Sequence, residues 1–207
     1  MGPVRCLVWR PFGRDDLEAA ARYARRGGGA LVVGERGGSK AVLFRPGADG
    51  EPGLLVAWAL KDLHAERFRA VGGRGPAAGL ALAPIPANRR WVAATWLARD
   101  RAHAGPTRTL AIDCMTCAAC CHDNAVLLEP DDLLRWKRAR RLDLAAEGYV
   151  ERRGRRQFLR LADSGACQHL RDKLCGIYPL RPFNCRAFPA GTEPCLFARF
   201  DRFGTAD

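Results

Sequence analysis

Apolar and polar positions alternate in short runs through the first hundred residues, and the runs have the lengths of strands and short helices. Val4 to Trp9 reads as a strand. Asp15 to Arg26 reads as a helix, with Asp15, Asp16 and Glu18 at its positive end, Arg25 and Arg26 at its negative end, and Gly27 to stop it. Ala30 to Val33 and Lys40 to Phe44 read as a hairpin across Arg36-Gly37-Gly38-Ser39, and the apolar run Leu54 to Leu60 as a further strand. Lys61 to Val71 and Asn88 to His103 are predicted helices, separated by a Gly- and Pro-rich stretch from Gly72 to Pro86. Later in the chain Pro130-Asp131-Asp132 opens another helix, with proline suited to the first turn and the acids to its positive end. Leu133, Leu134, Trp136 and Leu142 are its expected buried face, and Arg135, Lys137, Arg138, Arg140 and Arg141 its wet face. The fold class that follows is α+β. A small mixed N-terminal domain over residues 1–108 precedes an irregular, helix-containing, cysteine-rich metal-binding module over residues 109–207.

Composition changes this picture little. A chain of 207 residues with 48% hydrophobic content can bury one large core or two small ones. The longest apolar run, Leu54 to Leu60, falls far short of the roughly 20 residues of a membrane span. Met1-Gly2-Pro3-Val4-Arg5-Cys6 carries a charge with no apolar stretch behind it, so the expectation is a soluble cytoplasmic protein with no signal peptide and no membrane partner.

The formal charge of +12 invites a nucleic-acid reading. The distribution argues against it, because the excess is +8 over residues 1–113 and +4 over the rest, with no basic tail. A solvated basic surface is the ordinary meaning of such a spread, and the wet face of the helix from Pro130 is the best nucleic-acid candidate. Gly27-Gly28-Gly29 and Gly34-Glu35-Arg36-Gly37-Gly38 read as turns. A phosphate loop needs a Lys-Ser/Thr pair opening a helix, whereas Ser39-Lys40 has the reverse order and leads into a strand. His64 and His103 have no matched acid or nucleophile near them in sequence.

The chemistry lies in the cysteines. Cys6 stands alone, and the other eight of the nine fall between positions 114 and 195. Cys114-x2-Cys117-x2-Cys120-Cys121 places thiols two residues apart, the recurrent half-site of zinc and iron-sulfur proteins, because two such sulfurs can face one ion across a tight turn. Cys167, Cys175, Cys185 and Cys195 follow at spacings that complete a site begun elsewhere. Packing alone does not call for this density of thiols, and a disulfide framework suits a secreted chain better than this one.

These residues carry a family resemblance. The run from Cys114 to Cys121, followed by Cys167, Leu170, Cys175-Gly176-Ile177-Tyr178-Pro179-Leu180-Arg181-Pro182, Cys185-Arg186 and Phe188-Pro189, resembles the YkgJ-like cysteine-cluster family, described as chelating zinc or iron. The resemblance implies a metal site at Cys114, Cys117, Cys120, Cys121, Cys167, Cys175 and Cys185. Cys195 lies beyond the matching part and joins the set on spacing alone. The family usually has Gly after its second cysteine, where this chain has Ala118, so a positive φ there would leave Ala118 strained. Flagellin lysine methylases have a similar cysteine cluster, which keeps an enzymatic role open. The C-x2-C-x2-C spacing differs from the C-x3-C-x2-C of radical S-adenosylmethionine enzymes.

Beside the thiols, Tyr178 to Pro182 reads as an extended, stiff segment, since two prolines fix φ and remove amide donors. Arg181 and Arg186 are candidate cofactor-binding residues, placed to hydrogen-bond ligand thiolates or to offset their charge. His122 and His169 are candidate substitutes for a cysteine. The expected function is binding of an iron-sulfur cluster, slightly favoured, or of zinc, in an electron-transfer or structural role. The alternatives are a metal-cluster enzyme modifying a protein or peptide and a zinc-stabilised nucleic-acid-binding module, with nucleic acid the less favoured partner. Whether the chain is an enzyme is left open by its residues.

Overall fold

The computed structural model describes residues 2–34, 40–205 and 207, and divides the chain into two compact units. One comprises residues 3–110 and 191–194; the other comprises residues 1–2, 111–190 and 195–207. Both helices and strands are present, and the fold class is α+β.

The first unit is built on a five-stranded sheet. Its elements are β1 (Pro3–Leu7), β2 (Trp9–Gly13), α1 (Leu17–Arg25), β3 (Gly29–Val33), β4 (Lys40–Phe44), α2 (Leu54–Asp62), β5 (Arg69–Ala70), β6 (Ala81–Ile85), α3 (Arg90–Asp100) and β7 (Thr107–Ala111). The sheet runs β2-β3-β4-β6-β5, while β1 pairs separately with β7. β2 and β3 are parallel and joined through α1; the other pairs of the sheet are antiparallel. Side chains alternate between its faces. Ala30 and Leu43 pack with Ala20, Ala21 and Ala24 of α1. Leu31, Val42, Phe44, Ala83 and Ile85 pack with α2 and α3 through Leu60, Ala93 and Trp96.

In the Gly27 to Gly29 run, Gly27 takes a φ of 86°, and the other two positions are fixed by close packing. A Cβ on Gly28 would stand 2.2 Å from the Tyr23 ring, and one on Gly29 would stand 2.4 Å from the Trp9 indole. The predicted turn over Arg36 to Ser39 lies outside the described residues, but the strands on either side pair antiparallel, Ala30 with Leu43 and Val33 with Lys40. Under α3 lies a buried ionic group. Arg99 pairs with Asp100 at 2.9 Å and with Glu193 at 2.7 Å, and Trp9 donates its backbone N–H to Asp100 and its indole N–H to Glu193. The donors stabilise the charges that burial would otherwise penalise.

Four expectations for this unit are corrected. The apolar run Leu54 to Leu60 is the helix α2, because Val56, Ala59, Leu60 and Leu63 recur at helical spacing on the core while Leu54 is 61% exposed. The helix expected over Lys61 to Val71 is absent; His64 takes a left-handed φ of 50° after α2, and β5 follows. The Gly- and Pro-rich stretch contains β6, which tolerates Pro84 because β5 pairs only with Ala81 and Leu82, leaving one side of Pro84 uncovered. The strand expected over Val4 to Trp9 breaks at Val8 into β1 and β2.

The second unit is less regular. It contains α4 (Cys114–Cys117), α5 (Pro130–Arg138), β8 (Val150–Arg153), β9 (Arg156–Leu159), β10 (Leu170–Arg171), β11 (Leu174–Cys175), α6 (Phe183–Arg186) and most of α7 (Glu193–Phe203). Its core gathers Leu128, Trp136, Leu144, Val150, Leu159 and Ile177, with Cys167, Cys175 and Cys185 packed against it. α5 begins with a reciprocal capping box between Glu129 and Asp132. Its buried positions are Asp132 and Trp136; Leu134 is 50% and Leu142 60% exposed, which corrects the apolar face expected for this helix. Asp132 takes an inward place because its second oxygen accepts the Phe183 N–H at 2.7 Å. No helix among the described residues is long and apolar enough to cross a membrane.

Candidate metal centre

The thiols are positioned by short backbone motifs. Asp113 caps α4, its carboxylate accepting the Met115 N–H at 2.9 Å and its carbonyl the Cys117 N–H at 2.8 Å, which fixes Cys114 and Cys117 on one turn. The chain then reverses at Ala118, whose φ of 53° and ψ of 4° are left-handed. This is the conformation that a glycine would hold without strain. The Cys121 N–H returns to the Ala118 carbonyl, and the Cys121 carbonyl accepts the Cys167 N–H at 2.8 Å. That bond ties the first cysteine group to the second across the intervening 45 residues.

Cys175 is held on the β10–β11 hairpin, opposite Leu170, across a turn in which Asp172 and Lys173 both have positive φ. Cys185 sits on α6. The segment before it is not extended, as its prolines suggest, over its first part: Tyr178–Leu180 form a 3-10 turn with proline at its start, where no amide donor is needed. Only Arg181 and Pro182 are extended. The segment is pinned by the Trp136 indole donating to the Leu180 carbonyl at 2.8 Å, by Arg135 donating to the Arg181 carbonyl, and by Asn184 donating to the Leu127 carbonyl at 2.8 Å.

Seven thiols of this unit are linked to one another, pair by pair, by their electrostatics. Cys114 feels Cys120 and Cys117, Cys121 feels Cys167 and Cys175, and Cys185 feels Cys167, Cys120 and Cys175. The Cys120 thiol is brought down to about 7 because the neighbouring Cys121 thiol hydrogen-bonds to it, while Cys121 as the donor is pushed up. Burial pushes Cys185 up to about 12 and raises Cys114 and Cys167. Arg181 opposes the rise at Cys114 and Cys185 and adds to the lowering at Cys120. Its guanidinium lies 3.7 Å from the Tyr178 ring centroid and donates to the Tyr178 carbonyl.

Other candidates stand differently. Arg186 is exposed, donates to the Arg181 carbonyl at 3.1 Å, and lies over the Phe183 ring. Cys195 is buried on α7 and Cys6 is buried in the other unit. His169 is buried, stacks on Tyr149 with ring centroids 4.5 Å apart, and is pulled down to about 4 by its burial, so it is neutral at pH 7. His122 backs onto Ala166 through a β-bridge. Sequence reasoning missed Arg199, which donates to Cys117 Sγ at 3.0 Å. Its one signal was its position, a helical turn after Cys195.

None of the nine cysteines, all of them among the described residues, is in a disulfide. The donor set fits zinc or iron in kind, being soft and partly stabilised as thiolate by guanidinium groups. Among the described residues, no three Cys, His, Asp or Glu side chains converge closely enough to hold one ion as they stand. Comparison with known proteins points the same way as the spacing. Residues 113–201 match the CxxCxxCC family, whose description reads "Putative zinc- or iron-chelating domain". No curated protein and no solved structure matches the chain.

Proposed function

We propose that residues 113–201 hold an iron-sulfur cluster through cysteine thiolates, and that the centre serves electron transfer. The observation that carries the reading is the gathering of seven free thiols beside two guanidinium groups, Arg181 and Arg199. Cys114, Cys117 and Cys120 would supply three close ligands, and Cys121, Cys167, Cys175 and Cys185 the remainder; Cys195 is included on its spacing. A cluster of this kind supplies one-electron redox chemistry, with a potential set by charge and hydrogen bonds at its sulfurs. Arg181 supplies charge and Arg199 a hydrogen bond to Cys117 Sγ, and a redox-silent zinc ion gains less from them. The chain's own part is to hold the thiolates on short pinned turns, offset their charge and limit water behind Trp136 and Leu128.

Metal and sulfide analysis of protein purified without oxygen tests this. The expected protein is brown, contains iron and acid-labile sulfide, and bleaches with dithionite. Colourless protein with stoichiometric zinc, forming no cluster on reconstitution, rejects iron-sulfur and leaves a structural zinc site. Protein that binds neither metal rejects the thiolate centre altogether.

A further inference from the structure

The densest basic run of the chain, Arg152-Arg153-Gly154-Arg155-Arg156, is set by the fold on one exposed hairpin. β8 and β9 form a hairpin whose root is buried through Val150 and Leu159, and whose end projects Arg152, Arg153, Arg155 and Arg156 into solvent. Gly154, with φ of 62°, and Arg155 make the two-residue turn, so the register is fixed. It places Arg153 directly opposite Arg156. Like charges at such a cross-strand position destabilise a hairpin. Glu151 offsets one of them, pairing with Arg153 at 2.8 Å; among the described residues Arg152, Arg155 and Arg156 have no acidic partner. The conflict is offset only at Arg153, by Glu151 and by the Phe158 ring beneath it, and a conflict left standing at the other arginines marks a surface shaped for something other than folding.

We infer that the β8–β9 hairpin is a docking element for the phosphate backbone of double-stranded DNA, entered through the major groove. The dimensions favour this occupant. Two strands about 4.8 Å apart and four residues long make a ribbon roughly 13 Å in length. B-form DNA has a major groove about 12 Å wide that admits a two-stranded ribbon, whereas the deep, narrow major groove of A-form RNA excludes side chains. Arginines on both faces of the ribbon reach the phosphates on both walls, and bidentate guanidinium contacts suit that geometry. The polyanion also relieves the repulsion between Arg153 and Arg156. The inference does not depend on which metal the thiols hold.

The test is fluorescence anisotropy of a labelled 20-base-pair duplex with the full-length, as-purified protein across a salt series. Four phosphate contacts give a log–log salt slope of about −3.6, a loss of roughly a hundredfold between about 50 and 200 mM salt. Replacing Arg152, Arg155 and Arg156 by Gln together should weaken binding at least about tenfold and flatten the slope by about 2.7. Arg155→Gln alone, at a turn position where nothing packs, should flatten it by about 0.9. A matched triple, Arg26→Gln, Arg74→Gln and Arg101→Gln, removes the same charge from exposed positions of the other unit and should leave both quantities nearly unchanged. The hairpin triple should melt no lower than the native chain, since it removes a repulsion. Equal losses from the two triples would mean general electrostatics and overturn the inference. So would competition by duplex RNA or polyglutamate as strong as that by DNA, or the absence of salt-dependent DNA binding.

Discussion

Arg199 donates a hydrogen bond to Cys117 Sγ at 3.0 Å although 82 positions separate the two residues in the chain. The contact gives one sulfur of the C-x2-C pair a charged partner that C-x2-C spacing alone does not supply. Arg186, by contrast, spends its Nε on the Arg181 carbonyl and lies over Phe183. Partners of ligating groups typically account for a 10–100-fold change in metal affinity. Arg199→Gln should therefore lower the affinity of the loaded protein by about tenfold in a chelator competition, with Arg199→Lys in between and Arg186→Gln unchanged. Equal losses at 186 and 199 would show that the effect is one of overall charge and not of the Cys117 contact.

Ala118 occupies a left-handed conformation, φ 53°, at the one position that separates Cys117 from Cys120 by a chain reversal. For an L-residue this costs about 1–2 kcal/mol. Glycine removes the strain but adds about 0.4–1 kcal/mol of unfolded-state entropy. Ala118→Gly should stabilise the chain by about 0.5–1 kcal/mol in urea unfolding, and Ala118→Val should destabilise it, because a β-branched residue fits the left-handed region worst. Destabilisation by glycine would mean that burial of the Ala118 methyl, which is 5% exposed, outweighs the backbone strain.

Asp62 is held up to about 6, first by burial and then by the nearby charge of Glu193, against the opposing pull of Arg89 and Lys61. A carboxyl whose folded value is raised binds its proton more tightly in the folded state. Its contribution favours folding below the unfolded value near 4, fades as pH rises towards 6, and is a constant penalty above that. Asp62→Asn should thus stabilise the protein at pH 7 by about 1–2 kcal/mol, discounted for the partial exposure of the side chain, and flatten the stability profile between pH 4 and 6. Thermal melts across that window check it; a gain of the same size at pH 4 as at pH 7 would rule out the ionised carboxylate as the cause.

What the sequence disclosed follows from how local each signal is. α1 was legible because its acids, bases and stop residue all lie within its own ends. α2 was misread because a seven-residue apolar run fits either a strand or a helix, and the deciding residue, Leu63, lies beyond the run. β6 was hidden by Pro84, which is acceptable only because β5 is two residues long, a fact of pairing and not of the strand itself. The buried place of Asp132 depends on the Phe183 amide, 51 positions away. In the cysteine unit the strained Ala118 was readable from the family pattern. Arg199 was not, because a guanidinium finds a sulfur through the fold and carries no spacing rule.

Cys6 and Cys120 provide the sharpest separation of ligand from bystander. Cys6 belongs to the strand-and-helix unit, is fully buried, and has its thiol pushed up by that burial with Arg108, Glu193, Arg99 and Asp100 around it. No other cysteine stands among the groups that act on the Cys6 thiol, and a lone thiol does not hold an ion. Cys120 has the opposite environment, brought down to about 7 by the Cys121 thiol and further favoured by Arg181. Cys6→Ser should therefore leave the metal content per folded molecule unchanged. Its cost should appear only in stability, about 1–2 kcal/mol, from a hydroxyl placed where Cys6 is fully buried. Cys120→Ser should lower metal content with a smaller change in the melting of the strand-and-helix unit. Metal analysis paired with calorimetry distinguishes the two. Equal metal loss from both substitutions, with melting curves otherwise intact, would make Cys6 a ligand and overturn the assignment of the centre to the cysteines from 114 onwards.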